Sequence, residues 1–284
     1  MDLAGKVAVL TGAGGGIGLA TGRLLARRGM KVVLADVNEG RLAAAAESCR
    51  ADGLDVLTVS TDVSEFASMS RLADAAYDAF GAVHLVHLNA GIGSGASLFD
   101  DATDNWSHIV GVNFMGVVWG IKAFVPRMLA GGDEGVVLAT SSGAGAEGTA
   151  YTTPGYTSTK AAVLSVMECL YGQLRDRGAK LQVGVVFPPL TATNLAGSPE
   201  NMKAVEAQLK ASGVDTTLVQ PEEVAEMIVD GVQRRRFFIR AGAAENTAWF
   251  GGRITEEFRE WNAGKVRGRA EAQLSDGAPD AYLW

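Results

Sequence analysis

The stretch Thr11-Gly12-Ala13-Gly14-Gly15-Gly16-Ile17-Gly18 decides the fold of this chain. It follows an apolar strand candidate over residues 7–10 and opens a helix candidate over residues 16–28. A strand that passes through glycines into a helix N-terminus is an anion site: backbone N–H groups point outward, and no side chain blocks a pyrophosphate. Glycine-rich turns also occur for purely conformational reasons. The position of this turn, at the first junction of an alternating chain, favours a nucleotide-binding site.

The rest of the chain alternates short β-branched runs with amphipathic helices. Predicted strands cover residues 7–10, 31–35, 56–60, 85–88, 136–140, 181–187 and 237–239, and predicted helices cover residues 16–28, 39–51, 65–80, 105–129, 158–177 and 222–234. Most strands are apolar throughout, as parallel strands covered on both faces are. Right-handed crossovers then predict an α/β fold of Rossmann type. Its single doubly wound parallel sheet has a ligand crevice at the carboxyl ends of the strands.

Bulk properties narrow the class of protein. The net charge of −7 argues against nucleic acid or an anionic membrane as a partner. The N-terminus lacks the features of a signal peptide, and no uninterrupted run of 18 apolar residues suggests a membrane span. Cys49 and Cys169 lie in separate helix candidates, which fits buried thiols better than a bridge. We therefore predict a cytoplasmic protein, and no metal site is predicted.

Residues 1–240 are predicted to form the dinucleotide-binding domain, and within it residues 190–220 are a long insertion in the position of a substrate lid. It has a helix candidate near residues 199–210, and across the insertion an apolar stripe at helical spacings is formed by Leu195, Met202, Val205 and Leu209. Pro188-Pro189 stiffens the entry to this insertion and Gly213 loosens its far side. A surface helix packed permanently on the sheet edge is the alternative.

A C-terminal extension over residues 241–284 follows the last predicted strand. Three tryptophans are spaced along this otherwise polar segment: Trp249, Trp261 and Trp284. They are predicted to pack against this domain or a neighbouring subunit.

Asp36 stands directly after the second predicted strand, eighteen residues beyond Gly18. In a dinucleotide crevice such a carboxylate accepts hydrogen bonds from the adenosine ribose and repels a 2′-phosphate. Position 37 is valine, and residues 13–16 contain no arginine or lysine to pair with such a phosphate. The sequence therefore favours NAD over NADP.

Tyr156 and Lys160 are four residues apart and share a face if the segment is helical. An ammonium beside a phenol favours the phenolate, so a lysine here is expected to lower the tyrosine pKa and to fit it for proton transfer near neutral pH. Ser142 follows the fifth strand fourteen residues before Tyr156, where its hydroxyl can reach the same crevice. Asn113, in the long helix, is either a structural amide or a member of this site.

Together these motifs resemble the short-chain dehydrogenase/reductase family, in its compact single-domain branch, over about residues 3–240. The family pattern Thr-Gly-x-x-x-Gly-x-Gly matches Thr11, Gly12, Gly16 and Gly18, its adenine-contacting pair matches Asp62-Val63, and its Asn-Ala-Gly matches Asn89–Gly91. The resemblance implies the catalytic tetrad Asn113, Ser142, Tyr156 and Lys160. It implies cofactor contacts from Gly12, Gly14, Gly16, Ile17, Gly18, Asp36, Asp62, Val63, Asn89, Ala90, Gly91, Tyr156, Lys160, Pro188 and Thr193.

The resemblance also implies a role for each member of the tetrad. Tyr156 would be the general acid/base, and Ser142 would hold the reacting oxygen. Lys160 would lower the Tyr156 pKa and bind the nicotinamide ribose, and Asn113 would hold a water in the proton relay. The family usually carries Pro-Gly where this chain has Pro188-Pro189, so the loop at the nicotinamide is expected to run differently. A homotetramer or dimer is expected.

The expected activity is an NAD-dependent interconversion of a secondary alcohol and a ketone. The segments expected to line the substrate pocket, residues 92–97, 143–153 and 190–197, carry Glu147 as their one charge, which favours an uncharged, partly apolar substrate. Two alternatives remain. One is a dinucleotide-binding regulator without turnover, which tends to lose the tyrosine or lysine. The other is a family epimerase or dehydratase, which usually has a different glycine spacing.

Overall fold

The computed structural model of the protein describes residues 2–93, 98, 104–147, 154–211 and 216–240. Several predictions fall outside these residues: the pocket segments 94–97 and 148–153, the loosening role of Gly213, and the three tryptophans of the C-terminal extension.

Seven strands of the described residues form one sheet in the order β3-β2-β1-β4-β5-β6-β7. All the pairs are parallel. The strands are β1 (Val7–Thr11), β2 (Lys31–Asp36), β3 (Val56–Ser60), β4 (Leu85–Leu88), β5 (Gly135–Thr140), β6 (Leu181–Phe187) and β7 (Phe238–Arg240). The Rossmann-type prediction is confirmed. The strand order reverses between β1 and β4, which places a crevice above their carboxyl ends.

The helices cover both faces of this sheet. They are α1 (Gly16–Arg27), α2 (Glu39–Ala51), α3 (Phe66–Phe80), α4 (Asp104–Val110), α5 (Gly116–Gly131), α6 (Gly143–Glu147), α7 (Pro154–Asp176), α8 (Pro199–Ala211) and α9 (Pro221–Gln233). Leu25 of α1 and Ile228 of α9 share one buried cluster with Leu10 and Leu34 of the sheet. This packing makes the central strands a rigid base for the side chains at their ends.

Three helices differ from their predicted bounds. The predicted helix 105–129 is interrupted by a π-helical turn, Gly111–Met115, which periodicity misses because the apolar pattern continues on both sides. Helix α6 was not predicted, since five small residues carry no periodic signal. Helix α7 begins at Pro154 rather than at Ser158, because proline fits a first helical turn. Tyr156 and Lys160 therefore lie on one helix.

The span Asn105–Gly131 is long and apolar enough to cross a membrane by length and composition, with a mean hydropathy of 1.6. The sequence prediction considered only uninterrupted apolar runs, whereas this candidate comes from the average over a window of 18 residues. About two fifths of this window is buried, 39%, and a packed helix of a soluble core passes the same test. Phe124 and Val125 of this span are part of the core.

The two cysteines are free thiols, as predicted. Cys49 is buried, but Cys169 is exposed on α7, where the sequence predicted a buried residue.

Candidate active site

The glycine-rich turn brings β1 and β4 into close backbone contact. A Cβ on Gly12, whose φ is +64°, would lie 2.7 Å from Ala90 Cα, and one on Gly18 would overlap the Gly12 carbonyl oxygen. Side chains are therefore excluded at both positions. A Cβ on Gly15 would meet nothing within 4 Å, so the turn is open just before α1 and fits the pyrophosphate of a dinucleotide there.

Asn89 ties this turn to the end of β4. Its Nδ2 donates to Thr11 O at 3.1 Å and to Gly12 O at 3.4 Å. In return, Thr11 Oγ1 accepts from the backbone N–H groups of Asn89 and Ala90, at 3.0 and 3.2 Å. The Asn89-Ala90 pair thus holds the turn in shape by donating these four hydrogen bonds to it.

Asp36 lies at the carboxyl end of β2 and is 9% exposed. Its Oδ2 accepts from Gly14 N at 2.9 Å and its Oδ1 accepts from Asn38 N at 2.9 Å, so two backbone N–H groups fix the carboxylate. Arg41 lies beside it, with Nη2 3.8 Å from Asp36 Oδ1. The inference that no basic residue stands near a 2′-phosphate is therefore wrong. That inference considered only position 37 and residues 13–16. Arg41 lies in the first turn of α2, and its side chain extends to Asp36.

A cavity of about 410 Å³ lies at the carboxyl ends of the strands. Ten of the predicted cofactor residues line it: Gly12, Gly16, Ile17, Asp36, Asn89, Ala90, Gly91, Lys160, Pro188 and Thr193. The cavity is also lined by Arg41 and Thr140, which were not predicted, and by Leu195 of the predicted pocket segment 190–197. A larger cavity of about 590 Å³ lies at the amino ends of β2 and β3, but its charged residues are Lys31 and Asp55 alone among those described, with no hydroxyl beside them. The site chemistry belongs to the smaller cavity.

Asp62 and Val63 lie outside the lining of this cavity, as do three other predicted contacts, Gly14, Gly18 and Tyr156. The Asp62 carboxylate accepts from Ser64 N at 2.9 Å and from Ser64 Oγ at 2.7 Å, so it closes the turn before α3. Val63 is buried against Gly116, where a Cβ would lie 2.9 Å from Val63 Cγ2. Neither lines the cavity as the described residues define it. Their contact with adenine stays a prediction.

Ser142, just after β5, lies beside Tyr156 of α7. Tyr156 is partly buried, and burial of its hydroxyl raises the pKa, while the neighbouring Ser142 hydroxyl acts to lower it. The expectation that Lys160 sets a lowered pKa is thus wrong in this structure. The Lys160 ammonium lies over the ring, 5.8 Å from its centroid, rather than at the phenol oxygen.

Lys160 is 3% exposed and anchored under the crevice. Its Nζ donates to Thr140 O at 2.8 Å, and burial lowers its pKa to about 8. Ser141, next to Ser142, donates from Oγ to Lys160 O at 2.7 Å, which fixes α7 against the end of β5. Ser142 itself accepts from Ala144 N at 3.2 Å, a contact of the short α6 turn.

Asn113 lies in the π-helical turn and is fully buried. Its Oδ1 accepts from Ile92 N at 2.8 Å, and its Nδ2 donates to Ile92 O at 3.0 Å and to Thr159 Oγ1 at 3.2 Å. The amide therefore clamps the loop after β4 to α7. The sequence left open whether Asn113 is a structural amide or a member of the catalytic site, and these hydrogen bonds fit the structural amide. The water-holding role stays a prediction.

The start of the insertion lies across the crevice. A Cβ on Gly16 would lie 3.0 Å from Thr193 Cγ2, and one on Gly93 would lie 2.8 Å from Leu195 O. Thr193 Oγ1 accepts from Leu195 N at 3.3 Å and so shapes this short turn. Pro188 lines the cavity, while the Pro189 carbonyl accepts from Thr191 Oγ1 at 2.6 Å.

The family model for short chain dehydrogenases matches residues 6–224. The chain belongs to this family. Among solved structures, this short-chain dehydrogenase is similar to one from Burkholderia phymatum in complex with NAD. That structure is 35% identical, covers 92% of this chain and 96% of its own, and has a TM-score of 0.80. It is also similar to an alcohol dehydrogenase from Thermococcus sibiricus complexed with 5-hydroxy-NADP, 26% identical over 83% of this chain and 95% of that one, with a TM-score of 0.68.

Curated relatives of this short-chain dehydrogenase include a 2,5-dichloro-2,5-cyclohexadiene-1,4-diol dehydrogenase of Sphingobium indicum. It is 34% identical over 193 residues, which are 67% of this chain and 76% of the relative. Another relative, the glycine betaine reductase of Emericella nidulans, is 34% identical over 230 residues, but the chain spans 17% of its length. The chain is an oxidoreductase of this family, and family members bind either NAD or NADP.

Proposed function

We propose that this short-chain dehydrogenase interconverts a secondary alcohol and a ketone with NAD as cofactor. The observation that carries the proposal is the placement of Tyr156 next to Ser142, with the ammonium of Lys160, which lines the cavity, over the tyrosine ring. The uncovered glycine turn and the Asp36 oxygens fit the pyrophosphate and a ribose of a dinucleotide. When bound, the nicotinamide supplies or accepts the hydride.

The chain's own residues handle the proton. The raised pKa keeps Tyr156 protonated near neutral pH, so in reduction its Oη donates a proton to the substrate oxygen. In oxidation the same oxygen takes the proton back from the alcohol. The Ser142 hydroxyl donates a hydrogen bond to the substrate oxygen and stabilises the charge that develops there.

An uncharged, partly apolar substrate is the proposed partner. Near Lys160 the cavity is lined by Ile92, Pro188 and Leu195, while the two other charged lining residues, Asp36 and Arg41, lie together at the opposite, β2 end. No described residue at the tyrosine end offers a guanidinium to a carboxylate or phosphate. The diol dehydrogenase and alcohol dehydrogenase relatives act on hydroxyl groups by their names, in keeping with this class.

We test this proposal with a panel of uncharged cyclic and aryl secondary alcohols and the matching ketones, each with NAD and with NADP. Turnover of at least one pair by the parent, lost in Tyr156→Phe, supports the proposal. Cofactor binding without turnover on any member would favour the regulator instead. Inversion or dehydration of a substrate without net cofactor turnover would favour an epimerase or dehydratase.

We also propose a cytoplasmic homo-oligomer, a tetramer or a dimer. Phe114, Val118 and Trp119 of the π-helical turn and α5 are partly exposed, and Phe66 of α3 stacks on Trp119 with 44% of its surface exposed. Large apolar patches of this kind mark interfaces. For the chain architecture, we propose a dinucleotide-binding domain over residues 1–240, a lid within it over 190–220, and an extension over 241–284.

A further inference from the structure

His87 is a buried titratable residue that the proposed reaction does not use. It lies in β4, whose other residues are leucine, valine and leucine, and its surface exposure is zero. Its Nε2 is 2.8 Å from Thr140 Oγ1 on the neighbouring strand β5. A histidine in the centre of a parallel sheet is costly to bury, because both ring nitrogens lose water. Its contacts therefore call for a physical reason.

The hydrogen-bond partners of Thr140 set the direction of this contact. Thr140 Oγ1 donates its single proton to Asn89 Oδ1 at 3.1 Å. The imidazole must therefore be the donor, with its proton on Nε2. Burial, together with the positive charge of Lys160, lowers the His87 pKa to about 3, so the ring is neutral. Its Nδ1 has no hydrogen-bond partner among the described residues, and in this tautomer it carries no proton that would need an acceptor.

The chain of donors continues to the glycine-rich turn. Because Asn89 Oδ1 accepts from Thr140, the amide is oriented with Nδ2 towards the Thr11 and Gly12 carbonyls. On the other side, the backbone carbonyl of Thr140 accepts from Lys160 Nζ. One residue thus connects the histidine to both halves of the site.

We propose that His87 is a positioning residue for dinucleotide binding, acting through the Thr140 hydroxyl to fix the Asn89 amide and so the shape of the glycine-rich turn. The inference rests on the proposed function for the identity of the ligand. Without the Nε2 donor, the Thr140 hydroxyl is free to turn away from Asn89. The amide then loses its fixed orientation, and the turn samples shapes that bind pyrophosphate less well.

The direction of the network is tested without any ligand. Nitrogen-15 spectra of the histidine rings are expected to show His87 as a neutral Nε2–H tautomer that does not titrate down to about pH 5, given its lowered pKa. A proton on Nδ1, or titration near the usual histidine range, would overturn the inference whatever the protein binds.

The consequence for NAD binding is tested with two substitutions at His87 whose side chains are similar in shape. His87→Gln keeps a donor near the Nε2 position, and His87→Met removes it. We expect Met to weaken NAD binding, titrated directly, about five- to tenfold, as the loss of one buried hydrogen bond does. We expect Gln to stay within about twofold of the parent, and kcat at saturating NAD to change little in either. A role in stability alone would lower Tm and leave Kd unchanged.

His84 is the matched control at the other end of the strand. Its Nδ1 accepts from Val7 N at 3.1 Å, and it is buried to a similar degree, 7% exposed. His84→Met is expected to lower Tm without changing the Kd for NAD. If His87→Met does not fold, Thr140→Val and Thr140→Ser give the same comparison, because valine keeps the shape and the backbone carbonyl but loses the hydroxyl.

The outcomes separate the two hypotheses. A parent that binds neither NAD nor NADP would contradict the proposed function, and the tautomer would still decide the direction of the network. A parent that binds NAD, with equal affinity in the Met and Gln variants, or in the Val and Ser variants, would overturn this inference alone.

Discussion

At the residue scale, proton transfer depends on one hydroxyl. We expect Tyr156→Phe to lower turnover about 10²- to 10⁴-fold, because the ring still packs while the ionisable group is gone. Folding and NAD binding should remain close to those of the parent. The measurement is kcat with the best alcohol of the panel, together with the Kd for NAD.

Tyr171 provides the control on the same helix. It is 47% exposed and packs edge-on against Phe237 at 5.4 Å between ring centroids. Tyr171→Phe removes a hydroxyl of the same kind away from the cavity and should leave turnover unchanged. A Tyr156→Phe enzyme within a few-fold of the parent would contradict the assignment.

The Tyr156 pKa predicts opposite pH profiles for the two directions. Burial raises this pKa, so the phenol needed for reduction is present at neutral pH and the phenolate needed for oxidation is scarce. Oxidation should therefore rise with pH, and reduction should stay level and then fall. Values of kcat/KM between about pH 6 and about pH 10 test this; oxidation that falls from neutral to alkaline pH would contradict it.

Cofactor choice depends on the pair Asp36 and Arg41. The carboxylate favours a ribose with a free 2′-hydroxyl, but the guanidinium 3.8 Å away can pair with a 2′-phosphate. We expect NAD to be preferred. Asp36→Ala should narrow the gap between the cofactors, and Arg41→Ala should widen it by weakening NADP.

Values of kcat/KM for both cofactors measure this preference. Arg28→Ala is the control, because Arg28 is an exposed arginine paired with Glu226 at 3.6 Å. Equal use of NAD and NADP by the parent, or no change in NADP use in Arg41→Ala, would show that this pair does not set the choice.

At the scale of elements, the insertion contains helix α8, and hydrogen bonds connect the segments on either side of it. The bridge between Thr191 and Val219 joins its two ends, and the Glu206 carboxylate on α8 accepts from Leu218 N at 3.1 Å. Of the predicted apolar stripe, Met202 is buried and Val205 and Leu209 are partly buried, while Leu195 is 37% exposed. The stripe therefore faces the protein except at the turn across the crevice.

We predict that this segment is a lid that closes over the substrate. With NAD and a ketone of the panel bound, amide hydrogen exchange over residues 193–211 should slow, because the Thr193–Leu195 turn then packs against a filled crevice. Helix α9, packed in the core cluster, is the internal reference and should not change. Equal protection of the segment with and without ligands would mean a fixed helix.

At the scale of the whole molecule, the apolar span Asn105–Gly131 leaves much of its surface uncovered within the chain. We predict a dimer or tetramer in solution, measured by light scattering. Val118→Glu, on the partly exposed face of α5, should shift the mass towards smaller species, since a carboxylate is costly in an apolar contact. Val37→Glu, at a 62% exposed site beyond β2, should not. A parent that is monomeric would contradict the prediction.

The sequence alone determined the sheet, the glycine-rich turn and the order of Ser142, Tyr156 and Lys160 along the chain. These follow from local rules: apolar runs make buried parallel strands, glycines permit the turn, and the carboxyl ends of parallel strands meet at one edge. Ten of the predicted cofactor residues line the cavity for this reason.

The tertiary structure decided what depends on distance through space. Arg41 reaches Asp36 only when the turn between β2 and α2 has formed, and Lys160 loses its water only when α7 packs over Thr140. The sequence shows His87 as a polar residue in an otherwise apolar strand, but its hydrogen-bond partner, Thr140, lies fifty-three residues away in the chain. Burial raises the pKa of Tyr156 and lowers that of Lys160. It exists only in the folded chain, because it sums contacts that no local pattern contains.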